Sequence, residues 1–270
     1  MLTNHNPKSF VRFRKLALMI WIAYPMILGA FGKNKVQYRD FDWKYVQSKH
    51  FDVYYYGDAL HLATFCADVA ESSYVDLKKD FKHDIQARIP ILIYNTHNEF
   101  QQTNVTYSHI EESVGGFTEV FKDRVVIPFQ GSYEDFRHVI HHELTHAVMF
   151  QIFYGDGVGS MVTGMARFQL PLWLAEGLAE YESLGWDTQS DMFMRDATLH
   201  GYVPPIDYMS GFMVYKGGQS LMNYISEKYG SPKIGEIIGK IRVSRSRRPR
   251  PRRNGATTDG RGSTPRPRGR

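Results

Sequence analysis

A six-residue motif constrains the fold of this chain more than any other feature. The segment from His141 to His146 reads HHELTH and contains the pattern H-E-x-x-H. Residues four positions apart project from nearly the same face of an α-helix, so His142 and His146 can present their imidazole nitrogens to one metal ion if the segment is helical. Glu143 then lies beside that face, where it can reach a water molecule without binding the metal. The motif therefore predicts a helix that carries a metal site.

The residues around the motif favour the same helix. Ser132 can cap the N-terminus, and Glu134 and Asp135 suit a first helical turn. An apolar-rich run continues to about Phe153 and stops before the turn-forming segment 155–157. We therefore predict a helix that begins at Ser132 and ends near Phe153, with the motif at its centre.

Strands are predicted in the first half of the chain. Segments rich in β-branched and aromatic residues cover 50–56, 89–94 and 124–129. Pro128 lies late in the third segment and favours either an edge position or a strand end. Between the first two strands, apolar residues recur at helical spacing over 59–81. The first half is therefore predicted to combine a sheet with one long helix.

The second half is predicted to be helical. Its last apolar face begins at Ser231-Pro232, a capping residue followed by a proline suited to the first turn, and it runs to Ile241. These patterns predict an α+β fold, with a strand-rich lobe over residues 33–130 and a helical lobe over residues 131–241.

The N-terminal segment has the composition of an export signal. Lys8, Arg12 and two further basic residues precede an uncharged run over 16–32, and Ala30 and Gly32 give a small-x-small cleavage pattern. The run has about the minimum length for a spanning helix, so a retained membrane anchor is the alternative. We therefore expect an exported protein, periplasmic or extracellular, with possible attachment to the membrane through residues 16–32.

The C-terminal segment accounts for the basic charge. Of the net charge of +5, about +10 lies from Arg242 onward, where eleven arginines accompany one acid, so the preceding residues are net acidic. Residues 242–270 are rich in Arg, Pro and Gly, which predicts a disordered tail. A basic arm for nucleic acid is the alternative, but no aromatic residue is interleaved for base stacking, and no nucleic-acid partner is expected. A truncated or out-of-frame end is a further reading.

The cysteine count narrows the choice of metal ligands. Cys66 is the only cysteine, so the chain can form neither an internal disulfide nor a zinc site with several thiolates. Cys66 itself is expected to be a small buried residue on a helix. A metal must therefore be held by histidines and carboxylates, and two imidazoles with one carboxylate suit a catalytic Zn²⁺ with one open position.

The third ligand is suggested by a second motif. The segment 170–181 reads LPLWLAEGLAEY. It resembles the second zinc-binding helix of the gluzincin metallopeptidases, which bears W-L-x-E-G-x-A after the H-E-x-x-H helix. The resemblance implies that Glu176 is the third ligand of one Zn²⁺ per chain, and that Glu180 orients a ligand histidine. The alternative for Glu180 is a solvated surface charge.

The resemblance extends over about residues 36–241. This stretch of the chain is most similar to the peptidase-MA-like domains of bacterial exported proteins. Those domains are often followed by a β-propeller, and no propeller pattern is found in this sequence. Gluzincins place a tyrosine on a later helix to stabilise the oxyanion, and Tyr215, in the segment YKGG, is the corresponding candidate. Tyr202 and Tyr208 are rivals, and Lys216 is expected to be solvated. A peptide or protein substrate is implied.

Other features of the family pattern fit less well. Segment 115–119 matches poorly the motif with which the related aminopeptidases bind a free amine, so aminopeptidase activity is not expected. The strand over 124–129 is predicted to align an extended peptide if it forms a sheet edge. His138 and His141 flank the motif and are expected to point away from the metal.

These predictions converge on a mechanism and leave one alternative. Glu143 is expected to act as the general base of a zinc-dependent peptidase, and Tyr215 as the oxyanion donor. The alternative is a non-catalytic, zinc-stabilised module that binds peptides or envelope partners. A structural site usually has four protein ligands and has no use for Glu143, so the peptidase is the favoured hypothesis.

Overall fold

The structure, a computed structural model, describes residues 37–106, 109–155 and 157–246. The predicted signal or anchor over 1–32 lies outside the described residues, as do residues 247–270 of the predicted tail. The first five residues of that tail, 242–246, belong to a helix and not to a disordered segment. The predicted α+β class is confirmed. Across the described ranges, no helix combines the length and the apolar composition that crossing a membrane requires.

Strands and helices alternate in the first half, and helices fill the second. The first half contains β1 (Lys44–Gln47), β2 (Phe51–Tyr55), α1 (Leu60–Phe81), β3 (Ile89–Tyr94), α2 (His97–Phe100), β4 (Phe117–Glu119) and β5 (Arg124–Pro128). The second contains α3 (Tyr133–Tyr154), α4 (Val158–Arg167), α5 (Leu172–Leu184), α6 (Thr188–Leu199), a 3₁₀ turn (Ile206–Tyr208), α7 (Phe212–Tyr229) and α8 (Pro232–Ser246). The three predicted strands and the helices predicted over 59–81 and 132–153 are confirmed within one or two residues.

The five strands form one mixed sheet in the order β1-β2-β3-β5-β4. β2, β3 and β5 are parallel, and β1 and β4 pair antiparallel at the two edges. Pro128 is the last residue of β5, so its predicted position at a strand end is confirmed. The other option for this strand, an edge position, is excluded because β4 pairs with it, so the condition for pairing a peptide along β5 is not met. β4 has only three residues, too few to give a sequence pattern.

Alternation along the strands divides the core between the two faces of the sheet. Residues such as Ile91, Val125 and Ile127 pack with α1 and α3 on one face. Val126 and Tyr94 belong to an aromatic cluster on the other. The single cysteine, in α1, is fully buried as predicted, and burial raises the pKa of its thiol.

The long helix α3 has the boundaries that its sequence predicts. The Ser132 hydroxyl accepts a hydrogen bond from the Asp135 backbone N–H at 3.1 Å, and so caps the first turn. Gly155 ends the helix with a φ of 78°, a conformation that favours glycine. Between these ends, α3 packs against both the sheet and α5, so its central turns are buried.

A close crossing fixes α5 against α7. A Cβ atom on Gly177 would lie 2.3 Å from the Gly218 Cα, and one on Gly218 would lie 2.2 Å from the Trp173 carbonyl oxygen. Both positions therefore require glycine, which explains the glycine after Glu176 in the second motif. The crossing brings Tyr215, near the start of α7, to the same side of the molecule as Glu176.

Candidate metal centre

The two motif helices bring three ligand atoms together. His142 Nε2 lies 3.2 Å from His146 Nε2, and Glu176 Oε2 lies 3.2 Å from the first nitrogen and 3.1 Å from the second. A tetrahedral Zn²⁺ with bonds of about 2.0–2.1 Å separates its ligand atoms by about 3.3–3.4 Å. The three predicted ligands therefore form a triangle of the size that fits one zinc ion. We call these three residues the metal triad.

The far nitrogens of the two imidazole rings lack the partners that metal-bound histidines normally have, although a carboxylate lies near that of His142. Nδ1 of His142 and Nδ1 of His146 are both buried without a hydrogen-bond partner. Buried polar nitrogens usually have a partner, and a metal-bound histidine normally donates its second N–H to a carboxylate or carbonyl. Glu180 Oε2 lies 3.7 Å from His142 Nδ1, beyond hydrogen-bond range but close enough to accept after a small rotation.

The charges of the metal triad favour a cation. Burial disfavours the imidazolium form of His142, but the nearby carboxylates of Glu176 and Glu180 outweigh it and raise the His142 pKa to about 10. Burial likewise would raise the pKa of Glu176, yet its hydrogen bonds with His142 and His146 lower that pKa to about 2. The carboxylates of Glu176 and Glu180 therefore favour positive charge at this position, and a metal ion there competes with a proton.

Glu143 lies next to the metal triad but outside it. Its side chain lines the same cleft, and the Thr118 hydroxyl lies 2.7 Å from its Oε2 and 2.9 Å from its backbone oxygen. The hydroxyl has one proton, so it donates to one of these oxygens at a time. Thr118 pairs opposite Val125, on the sheet face that meets α3, which explains why it reaches Glu143. Sequence analysis missed Thr118.

Of the three candidate tyrosines, the structure brings only Tyr215 to the site. Its ring centroid lies 6.1 Å from that of His142, and it lines the cleft. Burial, with the charges of Glu176 and Glu143 next, raises the Tyr215 pKa to about 12, so the phenol keeps its proton and can donate it in a hydrogen bond. Tyr202 and Tyr208 are 72% and 77% exposed and do not line the cleft.

Glu180 is buried, which excludes the alternative of a solvated surface charge. It is 6% exposed, and its Oε2 lies 2.8 Å from His138 Nε2. Burial would raise the Glu180 pKa, but His138 and His142 lower it below its usual range. The expectation that His138 points away is therefore wrong: it lies one helical turn before His142 and shares its face.

His141 lies where the sequence predicts, whereas Lys216 does not. His141 does not line the cleft, as predicted, and burial lowers its pKa to about 4. Lys216 is 2% exposed, so the prediction that it is solvated is wrong. Its Nζ lies 3.4 Å from Glu180 Oε1 and 3.4 Å from Gln219 Oε1. The reason is the close crossing of α5 and α7, which encloses this face of α7.

The metal triad lies in a cleft of about 810 Å³. The edge strand β4 and the loop before it form one wall, α3 contributes the floor, and α5 and the start of α7 form the other wall. None of the described residues that line the cleft is a lysine or an arginine. Its apolar lining includes Val139, Phe150, Leu170, Leu172 and Phe212.

Two comparisons with known proteins were made after the geometry of the cleft was established. No protein-family model matches the chain, and a search of the curated proteins finds no match either. The residues of the cleft are therefore the evidence for function.

Proposed function

We propose that this chain is a zinc-dependent peptidase with a gluzincin-type, thermolysin-like arrangement of its two ligand helices. The observation that carries the proposal is the metal triad, whose ligand atoms lie 3.1–3.2 Å from one another in an open cleft beside Glu143, a carboxylate that is not a ligand. Three protein ligands with one open position are typical of catalytic zinc, whereas structural zinc usually has four.

Zinc would supply the electrophile. A bound Zn²⁺ polarises a carbonyl and lowers the pKa of a water ligand to about 7. His142, His146 and Glu176 would hold it. The donor set contains no thiolate and combines imidazole with carboxylate, which suits Zn²⁺.

The chain's own residues would move the protons and stabilise the charge. Glu143 takes a proton from the attacking water and delivers it to the leaving amine, a role worth about 10²–10⁴ in rate. Thr118 holds the Glu143 carboxylate through its hydroxyl. Tyr215, a neutral donor at neutral pH, hydrogen-bonds the developing oxyanion, with a contribution of about 2.7–4 kcal/mol.

The substrate in this proposal is an extended peptide or protein segment. β4 is an edge strand on the rim of the cleft, so its outer backbone groups can pair with an extended chain, the role that the sequence suggested for β5. Export through residues 1–32 and action outside the cytoplasm belong to the same proposal.

The test is Glu143→Gln in the full-length protein. We expect this variant to keep one zinc per chain by metal analysis, because Glu143 is outside the metal triad, and to lose hydrolysis of a mixed peptide library followed by mass spectrometry. The wild type should cleave peptides of the library, and this cleavage should stop when a chelator removes zinc. Zinc binding by both proteins with no cleavage by the wild type would instead support the non-catalytic module.

A further inference from the structure

One face of α3 carries a stripe of side chains along the floor of the cleft. Its members are four residues apart and therefore share a face. All of them line the cleft: His138, His142, His146, Phe150 and Tyr154. The first three are histidines, and the last two are a phenylalanine and a tyrosine. The floor therefore changes from imidazole to aromatic side chains immediately after His146.

The aromatic end of the stripe contacts the metal triad directly. The Phe150 ring stacks on the His146 ring, with centroids 5.9 Å apart and planes 18° apart. The Tyr154 ring stacks on Phe150 at 5.8 Å and 23°. Phe150 is half-buried and Tyr154 is buried, so Phe150 offers most of the accessible aromatic surface, and Leu170 and Leu172 line the same cleft. We call Phe150 and Tyr154 the aromatic shelf.

The carboxylates of the cleft oppose an acidic occupant. Its aromatic and aliphatic lining favours an apolar one. Three carboxylates line it, those of Glu143, Glu176 and Glu180, and no lysine or arginine is found among the described lining residues. An Asp or Glu side chain of a substrate would lose hydration here without gaining a cationic partner from the chain. An aromatic or aliphatic side chain would bury its surface against the shelf at no such cost.

We infer that the aromatic shelf is a subsite for one large apolar side chain of the substrate, within two residues of the cleaved bond, and that the cleft rejects acidic residues there. The inference rests on the proposed peptidase function. Phe150 is its main specificity-determining residue, because its ring lies between the metal triad and Tyr154. Discrimination in an apolar pocket is about 10–200-fold per methylene, so peptides with Phe or Leu at this position should exceed those with Ala by at least about tenfold.

The first test is the cleavage pattern of a mixed peptide library by the zinc-loaded, full-length protein. The wild type should enrich Phe, Tyr, Trp or Leu at a single position within two residues of the cleaved bond, and deplete Asp and Glu at the neighbouring positions. Phe150→Ala should lose the enrichment at that position only. Phe121→Ala is the matched control, because Phe121 is an exposed phenylalanine outside the cleft. Equal cleavage patterns for wild type and Phe150→Ala would overturn the inference while the proposed function stands.

A binding measurement keeps the inference testable without turnover. In the Glu143→Gln background, fluorescence anisotropy compares the binding of two labelled peptides that differ only by Phe or Ala at the enriched position. If the wild type cleaves nothing, the substitution is made at each central position of the peptide in turn. Tighter binding of the Phe peptide by about tenfold, lost in Phe150→Ala, supports the shelf. Equal binding of both peptides contradicts it. If Phe150→Ala unfolds in a thermal melt, Phe150→Leu replaces it. This variant should still bind the Leu peptide and should bind the Phe peptide more weakly. Unchanged binding of both peptides would overturn the inference.

Discussion

Among the residues that the structure describes, two groups of side chains have the composition of a metal site, and they share His142. The first is the metal triad; the second consists of His138, His142 and Glu180, and in each group the ligand atoms lie within 4.8 Å of one another. The first group opens on the cleft beside Glu143. The second is backed by Lys216, whose buried Nζ lies 3.4 Å from Glu180 Oε1.

The two groups share ligand types and spacing and differ in the charges around them. Glu180 already has a positive partner in Lys216, so a second metal ion would bring two cations close together in a buried region. Glu176 has no lysine or arginine partner among the described residues, and its hydrogen bonds go to the two other members of the metal triad. We therefore expect the first group to bind zinc and the second to orient His142.

The largest effect should come from Glu176→Ala. Removing the only carboxylate of the metal triad leaves two imidazoles, so we expect this variant to lose stoichiometric zinc and, with it, all hydrolysis. Metal analysis after dialysis measures the effect. Glu134→Ala, on the exposed first turn of α3, is the control and should keep one zinc. Full zinc content in Glu176→Ala would remove the distinction between the two groups.

A smaller effect is expected from Tyr215→Phe, which tests the reacting side of the metal triad. Loss of one oxyanion donor lowers kcat by about 10²–10³. Zinc affinity should stay unchanged, because the phenol is not a ligand. Steady-state kinetics on one cleaved peptide measures kcat, and Tyr202→Phe, which alters an exposed rival, should behave as wild type. An unchanged kcat would exclude Tyr215 from the reaction.

The smallest effect should come from Glu180→Gln in the second group. Loss of a carboxylate that orients a metal-bound histidine weakens metal binding by about 10–100-fold, and the amide oxygen can still accept a hydrogen bond, so we expect about tenfold. Competition with a chromogenic chelator measures the zinc Kd. The exposed Glu227→Gln should leave the Kd unchanged. A loss as complete as that of Glu176→Ala would make Glu180 a ligand.

The parts of the site that sequence analysis could predict depend on local geometry. The spacing of His142 and His146 follows from one helical turn, and the position of α3 follows from its cap and its apolar run. Glu176 came from resemblance to a known motif, and its distance to the histidines needed the structure. The same periodicity should have identified His138, which was wrongly expected to point away although it lies four residues before His142.

The parts that could not be predicted depend on tertiary packing. Thr118 reaches Glu143 only because a three-residue strand pairs with β5, and such a short strand leaves no periodic pattern. Lys216 is buried only because Gly177 and Gly218 let α5 and α7 approach closely. A lysine in a sequence is normally solvated, so its burial beside Glu180 had no local signal.

We expect one zinc ion to occupy the metal triad and none to occupy the second group. The most direct measurement is anomalous diffraction at the zinc absorption edge from crystals of the zinc-loaded protein. We expect one peak, about 2.0–2.2 Å from His142 Nε2, His146 Nε2 and a carboxylate oxygen of Glu176. A peak between His138 and Glu180, or no peak near either group, would contradict it.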